Sequence, residues 1–234
     1  MNIGLLLCGH PRPGVQERHG DFDDMFARLL TPHGITLTAY DVENMHFPDS
    51  VHAHDGWLLS GSRHGAYEDH AFIPPLETFI RDAHAAALPM VGICFGHQII
   101  AQALGGTVVK WPGGWNIGRR AYDVEGLGRI ELAAWHQDQV TDLPPGAEVI
   151  GSAEGCAIAA SRYPGRALTF QAHPEFDLTT MGTYAEIFTE VGGYPADQLA
   201  EATADAGRGQ ALDTDPVAAM IARFFHDHRV TADV

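Results

Sequence analysis

Residues 90–106 place a cysteine in a setting that favours nucleophilic chemistry. A short apolar run ends at Cys94 and an apolar pattern of helical spacing follows it, which predicts a strand, a tight turn and a helix. Gly92 and Gly96 lie two residues to either side of the cysteine, where larger side chains would collide in so sharp a turn. The amino end of a helix favours an anion, and so favours the thiolate form of Cys94. The alternative is an inert cysteine in a core strand, but the paired glycines favour a nucleophile.

A cysteine nucleophile needs a base, and the base needs a group that orients it. The segment FQAHPEF at 170–176 offers both, because an apolar strand would deliver His173 to its end. Residues i and i+2 of an extended segment point the same way, so His173 and Glu175 can face one site, with Pro174 restricting the backbone between them. We expect His173 to exchange the proton and Glu175 to hold its tautomer. Alone, the segment also fits a solvated strand end; together with Cys94 it predicts a catalytic site.

Backbone N–H groups are the expected donors to the oxyanion of a tetrahedral intermediate. The first is the amide of Phe95, the residue after the nucleophile. The second should come from another loop at the same sheet edge. The segment LLSGS at 58–62 ends a strand there, and its glycine allows close backbone approach to a ligand. An ordinary turn is the other interpretation of this glycine and serine.

The elements that must carry these residues alternate between strands and helices in the first part of the chain. Their order up to Gly106 is βαββαβα, which predicts a doubly wound, mostly parallel sheet covered by helices. After Gly106 short strands alternate with turn-rich segments, so part of the sheet should be antiparallel. Residues 10–14 are predicted to be a loop, and residues 192–211 a loop with a short helix. The predicted strands are 3–8, 35–40, 56–60, 90–93, 107–110, 120–124, 130–134, 148–151, 157–160 and 167–171, and the predicted helices begin near residues 21, 74, 95, 178 and 216.

Composition argues against several classes of function. The 234 residues are 45% apolar and carry a formal net charge of −16, which argues against nucleic acid or an anionic membrane as a partner. No apolar run approaches membrane-spanning length, and the first residues lack a charged leader, so we expect no signal peptide. Three cysteines are too few, and odd in number, for a disulfide framework. A reducing, cytoplasmic compartment is therefore predicted.

Fourteen histidines raise the question of a metal site. The closest clusters are HAHD at 52–55 and HDH at 226–228, and neither has the spacing of a zinc motif. Surface histidines are the favoured interpretation of both clusters. No glycine-rich segment is followed by the Gly-Lys-Ser/Thr of a phosphate loop. We therefore expect no metal and no cofactor.

Three segments, in their order and spacing, resemble the class I (triad-type) glutamine amidotransferases: LLSGS at 58–62, GICFGHQ at 92–98 and AHPE at 172–175. The resemblance covers about residues 1–190 and implies a flavodoxin-like α/β fold with a small antiparallel addition. Residues 191–234 would then form a helical extension packed on the same domain. The implied activity is hydrolysis of a γ-glutamyl amide through a thioester. The implied site residues are a Cys94–His173–Glu175 triad, an oxyanion hole from Gly61 and Phe95, and Gln98 beside the amino-acid end of the substrate.

Within this family the chain looks like the stand-alone members, which include plant γ-glutamyl peptidases and bacterial proteins similar to the amidotransferase domain of GMP synthase. GWNIG at 114–118 and WHQD at 135–138 carry this closer resemblance, which implies that His136 and Gln137 line the substrate site. Many synthase-linked glutaminase domains have a glycine at the position of Gln137. This departure favours a γ-glutamyl conjugate over free glutamine as the substrate.

Three functions stay open at this point. The first is an enzyme that hydrolyses a γ-glutamyl amide, either as a plain hydrolase or as the ammonia-supplying subunit of a separate synthetase, since no acceptor domain is evident in the sequence. The second is a non-catalytic, glutaminase-like binding protein. Loss of a triad residue would have favoured it, and all three are present. The third is a different chemistry on a similar cysteine turn, and the H-P-E segment argues against it.

Overall fold

A central sheet organises the chain in the computed structural model, which describes residues 1–164, 166–208 and 211–229. The strands in these residues are β1 (Asn2–Leu7), β2 (Thr36–Asp41), β3 (Trp57–Leu59), β4 (Met90–Ile93), β5 (Thr107–Lys110), β6 (Asn116–Val124), β7 (Gly128–His136), β8 (Asp138–Asp142), β9 (Glu148–Ala153), β10 (Cys156–Tyr163) and β11 (Ala167–Phe170). The helices are α1 (Pro13–His19), α2 (Phe22–Leu30), α3 (Ile73–Ala85), α4 (Phe95–Ala103), α5 (Leu178–Val191), α6 (Ala196–Ala206) and α7 (Thr214–Asp227).

The sheet combines a parallel and an antiparallel half. Its strand order in the described residues is β2-β1-β3-β4-β11-β10-β9-β6-β7, and a separate two-stranded ribbon pairs β5 with β8. The strands from β2 to β11 run parallel, and those from β10 to β7 continue the sheet in antiparallel pairs. The predicted doubly wound α/β fold is confirmed. Its antiparallel addition is continuous with the main sheet.

Helices cover both faces of the sheet because its central strands are apolar on both sides. Successive side chains of β1 enter opposite apolar clusters, with Leu5 on one face and Leu6 on the other. Phe26 of α2 and Phe225 of α7 belong to the first cluster, and Phe79 of α3 belongs to the second. The core is therefore two layers divided by the sheet. Among the described residues, no helix combines the length and apolar character needed to cross a bilayer.

Two elements differ from the sequence prediction. The expected loop at 10–14 ends in a helix, because Pro13 opens α1; this helix buries only Val15, so no apolar stripe marks it in the sequence. The strand β8 was not predicted, since DQVTD is mostly polar and pairs only with β5, outside the main sheet. The helix in 192–211 is α6, which has eleven residues.

The segment after α5 packs against the antiparallel half. In α6, Gln198 accepts a hydrogen bond from the N–H of Ile117 at 2.8 Å and donates one to the carbonyl oxygen of Trp115 at 3.0 Å. Before α7, the N–H of Asp213 donates to the carbonyl oxygen of Glu131 in β7 at 2.8 Å, and its carboxylate accepts from the N–H of Glu131 at 2.8 Å. These contacts support the proposal that the C-terminal helices are an extension of the same domain.

Candidate active site

Cys94 lies in a strained turn between β4 and α4. Its φ is 54° and its ψ is −103°, a conformation that costs a residue with a side chain on the order of 1–3 kcal/mol. A Cβ at Gly92 would collide with the carbonyl oxygen of Gly96, and a Cβ at Gly96 would collide with that of Leu59. Both glycines are therefore required for the close approach of backbone at this turn, for the steric reason that the sequence indicates.

Backbone hydrogen bonds fix the turn to the strands on both sides of β4. The N–H of Cys94 donates to the carbonyl oxygen of Phe170, at the end of β11, at 2.8 Å. The N–H of Gly96 donates to the carbonyl oxygen of Ser60, just after β3, at 3.1 Å. Cys94 is 5% exposed and forms part of the wall of a cavity. The thiol is thus held at the carboxyl edge of the parallel strands, facing the cavity.

Three contacts hold His173 beside this thiol. Its backbone N–H donates to the carbonyl oxygen of Ala133 in β7 at 2.9 Å. Its Nδ1 lies 2.7 Å from Oε1 of Glu175, whose side chain has no exposed surface. The ring of Phe176 stacks on the imidazole with centroids 4.3 Å apart and planes 4° from parallel. With Nδ1 bound to Glu175, Nε2 is the nitrogen that remains for the interaction with Cys94.

The charges around His173 favour its protonated form. Burial alone lowers the pKa of an imidazole, but the carboxylate of Glu175 and the sulfur of Cys94 outweigh burial and raise the pKa of His173 to about 10. His173 therefore holds a proton near neutral pH. An imidazolium beside Cys94 stabilises a thiolate, which is the reactive form of a cysteine.

The two predicted oxyanion donors flank the same pair of side chains. A Cβ at Gly61 would lie 3.0 Å from Cε1 of His173 and 3.8 Å from Cβ of Cys94, so the backbone passes directly beside both. Phe95 is the first residue of α4, where an N–H has no intrahelical acceptor. Neither amide has a hydrogen-bond acceptor within the described residues. Both can therefore donate to an anionic oxygen formed near Cys94.

A cavity of about 460 Å³ opens in front of Cys94 and His173, a volume typical of small-molecule sites. Glu175 lies outside the lining, behind His173. Two groups of lining residues differ in chemistry. We call them the polar wall, made of Tyr67, Glu68, Lys110 and Asp138, and the aromatic wall, made of Trp115, Trp135, Tyr184, Phe188 and Tyr194.

The three predicted substrate-binding residues all line this cavity. Nε2 of Gln98 donates to the carbonyl oxygen of Asp138 at 2.9 Å, and Nδ1 of His136 lies 3.3 Å from the same oxygen. Burial lowers the pKa of His136 to about 3, so its ring is neutral, and its Nε2 has no partner among the described residues. Gln137 donates to the carbonyl oxygen of Trp111 at 3.3 Å. Of these three side chains, His136 therefore has a buried ring nitrogen without a hydrogen-bond partner among the described residues.

Sequence reasoning missed several residues of this site, among them Phe176, Tyr67 and Asp138. Phe176 stacks on the imidazole, and no spacing rule indicates such a role for the residue after Glu175. The hydroxyl of Tyr67 donates to Oδ1 of Asp138 at 3.1 Å in the polar wall. Burial raises the pKa of this carboxyl, while the hydrogen bond from Tyr67 opposes the shift. The signal for Asp138 was its place in the WHQD segment.

The aromatic wall is continuous with the candidate catalytic histidine. Phe176 links them, because it stacks on His173 and also on Tyr184. The distances between ring centroids along the wall are 5.1 Å for Phe176–Tyr184, 5.1 Å for Tyr184–Trp135, 5.1 Å for Trp135–Phe188, 4.5 Å for Phe188–Tyr194 and 4.6 Å for Tyr194–Trp115. Tyr194 lies between α5 and α6, so the C-terminal helical region contributes to the cavity.

In the part of the chain that the structure describes, His64, Glu68 and His70 are the residues whose ligand atoms approach closely enough to hold a metal ion, all within 4.8 Å of one another. A hydrogen bond accounts for part of this approach, since Nε2 of His70 lies 2.9 Å from Oε2 of Glu68. The histidine clusters at 52–55 and 226–228 do not gather ligand atoms in this way within the described residues. That the protein needs no metal remains a prediction.

Comparison with known proteins identifies the family. The sequence model of the class I glutamine amidotransferases matches residues 20–189. The chain belongs to this family. The resemblance drawn from the three segments is thereby confirmed. The matched range contains Cys94, His173 and Glu175, whereas Arg12 and Tyr194, which also line the cavity, lie outside it.

The curated relatives include proteins matched over most of their length and a longer protein matched over about a third of it. A glutamine amidotransferase-like protein of Schizosaccharomyces pombe is 29% identical over 87% of this chain and 93% of its own length. Gamma-glutamyl peptidase 3 of Arabidopsis thaliana is 27% identical over 75% of this chain and 77% of its own. The glutamine-hydrolysing GMP synthase of Bordetella parapertussis is 30% identical over 74% of this chain, but only 35% of its own length is matched.

Solved structures of amidotransferases share the fold. A glutamine amidotransferase from Methylobacillus flagellatus superposes with a TM-score of 0.76 at 21% identity, over 100% of this chain and 96% of that one. A glutamine amidotransferase from Thermotoga maritima superposes with a TM-score of 0.71 at 20% identity, over 96% of each chain. At these identities the likeness concerns the fold alone.

Proposed function

We propose that the chain hydrolyses a γ-glutamyl amide through a glutamyl-thioester on Cys94, with His173 and Glu175 completing a catalytic triad. One observation carries this proposal: a thiol on a positive-φ turn interacts with an imidazole whose other nitrogen lies 2.7 Å from a buried carboxylate. Membership in the amidotransferase family supports glutamine-type amides as the substrate class.

In the first half of the reaction the sulfur of Cys94 attacks the carbonyl carbon of the γ-amide. The thiol proton has passed to His173, and the carbonyl oxygen becomes an oxyanion that the amides of Gly61 and Phe95 stabilise. Collapse of the tetrahedral intermediate breaks the C–N bond. His173 protonates the departing nitrogen, which leaves as ammonia or as an amine, and the glutamyl group remains on sulfur as a thioester.

In the second half a water molecule attacks the thioester. His173, now neutral, takes a proton from the water, and the same two amides stabilise the second oxyanion. Collapse of this intermediate breaks the C–S bond, releases glutamate and restores the thiolate–imidazolium pair. Glu175 keeps the Nδ1 proton of His173 in place throughout, so that Nε2 always faces the reacting atoms.

The polar wall suits the amino-acid end of the glutamyl group. An α-ammonium can pair with the carboxylates of Glu68 and Asp138, and an α-carboxylate can pair with Lys110. Gln98 and Gln137 lie on the same side of the cavity through their contacts with the carbonyl oxygens of Asp138 and Trp111. We assign Gln98, His136 and Gln137 to substrate binding. The ring of His136 is neutral, and its Nε2 is buried without a partner among the described residues.

We further propose a γ-glutamyl conjugate as the preferred substrate, with free glutamine poorer. The motive is the aromatic wall, which adjoins His173. We place it beyond the scissile bond, where an ammonia leaving group would not contact it. The γ-glutamyl peptidase relative supports this choice. The difference between the two reactions lies in the space beyond the scissile bond, because the thioester is the same.

The test compares kcat/KM for glutamine and for several γ-glutamyl dipeptides with the purified chain alone. We expect the dipeptides to be the better substrates, and Cys94→Ala to abolish the release of glutamate. Added hydroxylamine should trap the acyl group of the wild type as γ-glutamyl hydroxamate, which reports the thioester. Full activity in Cys94→Ala would overturn the proposed mechanism. A preference for glutamine would overturn the proposal that a γ-glutamyl conjugate is the preferred substrate.

A second candidate is a glutaminase subunit that passes ammonia to a separate synthetase. The match to only 35% of a GMP synthase favours it, since in that protein the similar region is part of a longer chain. Activity that appears only when a second protein is added would support this candidate. A non-catalytic binding protein is disfavoured because the three triad candidates are present and adjacent.

Two broader assignments accompany this function. We propose that residues 1–190 form the amidotransferase domain and that the helices after them belong to the same folding unit. Gln198 and Asp213 support this division through their hydrogen bonds to the antiparallel strands. We also propose the cytoplasm as the compartment, because the cysteines in the structure are free and a reactive thiol needs reducing conditions.

A further inference from the structure

Arg12 is a cation at the aromatic side of the cavity, where the proposed mechanism does not use it. Its guanidinium carbon lies 4.9 Å above the ring of Phe188, and its charge also acts on the hydroxyl of Tyr194. It lines the same cavity as Cys94 and His173. Within the described residues no carboxylate pairs with it, although the chain carries sixteen more negative than positive charges. Most other arginines of the chain do pair with Asp or Glu, as Arg18 pairs with Glu186 at 3.0 Å.

The backbone at Arg12 is restricted, although the side chain is exposed. Pro11 and Pro13 flank Arg12, and each proline locks its own φ. The carbonyl oxygen of Arg12 accepts hydrogen bonds from Val15 at 2.8 Å and from Gln16 at 2.9 Å, which close the first turn of α1. A guanidinium on a restricted backbone, stacked on an aromatic ring, loses little freedom when it binds an anion.

We propose that Arg12 binds the carboxylate of the leaving amino acid, so that the substrate is a γ-glutamyl amino acid whose leaving residue has an apolar side chain. This inference rests on the proposed hydrolysis of γ-glutamyl amides. The planar guanidinium matches a carboxylate with two parallel hydrogen bonds. The apolar side chain of the leaving residue then lies on Trp115 and Tyr194, whose rings are 4.6 Å apart.

The position of these groups explains why the subsite concerns the leaving group and not the glutamyl end. The carboxylates of the polar wall would repel a second carboxylate, whereas the aromatic wall adjoins His173, the residue that protonates the departing nitrogen. Arg12 and Tyr194 both lie outside the range matched by the family model. The subsite therefore combines Trp115, which lies inside the matched range, with two residues that flank it.

The test uses substrates that differ in one group. γ-Glutamyl-phenylalanine and γ-glutamyl-phenethylamide contain the same amide and the same ring, and only the first has a carboxylate on the leaving amine. γ-Glutamyl-glycine keeps the carboxylate and lacks the side chain. For the wild type we expect kcat/KM for γ-glutamyl-phenylalanine to exceed that for γ-glutamyl-phenethylamide by about tenfold, since a hydrogen-bonded charge pair contributes about that factor. It should also exceed that for γ-glutamyl-glycine by about tenfold or more, since the glycine substrate buries no apolar side chain on the aromatic wall.

Three variants separate a binding role from a structural one. Arg12→Gln should reduce the phenylalanine-to-phenethylamide ratio by about tenfold, mainly through KM, because the pairing of Arg12 with the carboxylate is the same in the bound substrate and in the transition state. Arg12→Lys should retain part of the ratio. Arg18→Gln removes an exposed arginine of α1, the helix that follows Arg12, and the ratio should not change. Thermal unfolding of each variant checks that the fold is intact.

The failures of the two proposals are distinguishable. If the wild type hydrolyses γ-glutamyl-phenylalanine and γ-glutamyl-phenethylamide with equal kcat/KM, this inference is wrong and the proposed function stands. The same holds if Arg12→Gln lowers kcat/KM equally for these two substrates. Equal rates for γ-glutamyl-glycine and γ-glutamyl-phenylalanine would overturn the apolar part of the subsite. If the wild type hydrolyses no γ-glutamyl amide, the proposed function fails, and this inference fails with it.

Discussion

Replacement of Gly61 by alanine tests the geometry of the candidate site most directly. A Cβ at this position would lie 3.0 Å from Cε1 of His173, where ordinary contact begins at 3.4 Å. The imidazole has little room to move, because Glu175 holds one edge at 2.7 Å and Phe176 covers one face at 4.3 Å. The ring or the loop must therefore shift by a few tenths of an ångström, and the thiol–imidazole geometry must change with it.

The magnitude follows from the sensitivity of catalysis to position. A misplacement of about 1 Å can cost about a hundredfold in rate, so a shift of a few tenths should lower kcat about five- to tenfold. The fold should survive, because the new methyl group meets a side-chain atom and not backbone. By contrast, Gly96→Ala would collide with the carbonyl oxygen of Leu59 and should destabilise the turn itself.

The assay measures kcat on a γ-glutamyl dipeptide together with the thermal midpoint of unfolding. Gly207→Ala is a matched control, because the nearest atom to its new Cβ lies 3.6 Å away. We expect Gly207→Ala to match the wild type in both measurements, and Gly61→Ala to lose rate while keeping its midpoint within a few degrees. Wild-type kcat in Gly61→Ala would refute the proposed arrangement of Gly61 against His173.

Three further predictions concern the same group of side chains. Limited iodoacetamide labelling with peptide mapping should modify Cys94 first, because burial raises the pKa of the other two thiols; faster labelling of either would contradict its assignment as nucleophile. Glu175→Gln should lower kcat by about ten- to a thousandfold, which is a smaller loss than that of Cys94→Ala. It should also move the alkaline limb of the pH–rate profile to lower pH by about one unit or more, because the carboxylate that raises the pKa of His173 is gone. An unchanged profile would mean that another group orients the imidazole. Phe176→Leu keeps an apolar side chain but removes the stacked ring, so kcat should fall several-fold with little change in KM; a loss confined to KM would assign the ring to substrate binding instead.

The parts of the site that follow a local rule were predictable from the sequence. Gly92 and Gly96 mark the turn because their spacing reports a steric requirement within five residues, and the structure contains that requirement. His173 and Glu175 were placed together by the period of two in an extended segment, and their side chains meet at 2.7 Å. The apolar strands of the parallel half could also be predicted, because a strand that is buried on both faces has a continuous run of apolar residues.

The parts that depend on contacts between distant segments were not predictable in this way. Phe176 acquires its stacking role only because the segment after β11 folds back against β7 at Ala133. The helix α1 buries a single side chain, so its sequence has no apolar pattern of helical spacing. Arg12 meets Phe188 across most of the length of the chain, and no pattern in either neighbourhood indicates the other. Tertiary contacts of this kind carry no signal in spacing.

The sheet order explains why residues so far apart in sequence form one site. β4 lies between β3 and β11, and all three are parallel, so their carboxyl ends meet at one edge. β4 delivers Cys94, the loop after β3 delivers Gly61, and the segment after β11 delivers His173. A change in the order of these strands would separate Cys94 from His173, so the geometry of the candidate site depends on the strand order. The aromatic wall and Arg12 come from elements outside these three strands, which lets the choice of leaving group vary while the position of the reacting atoms stays the same.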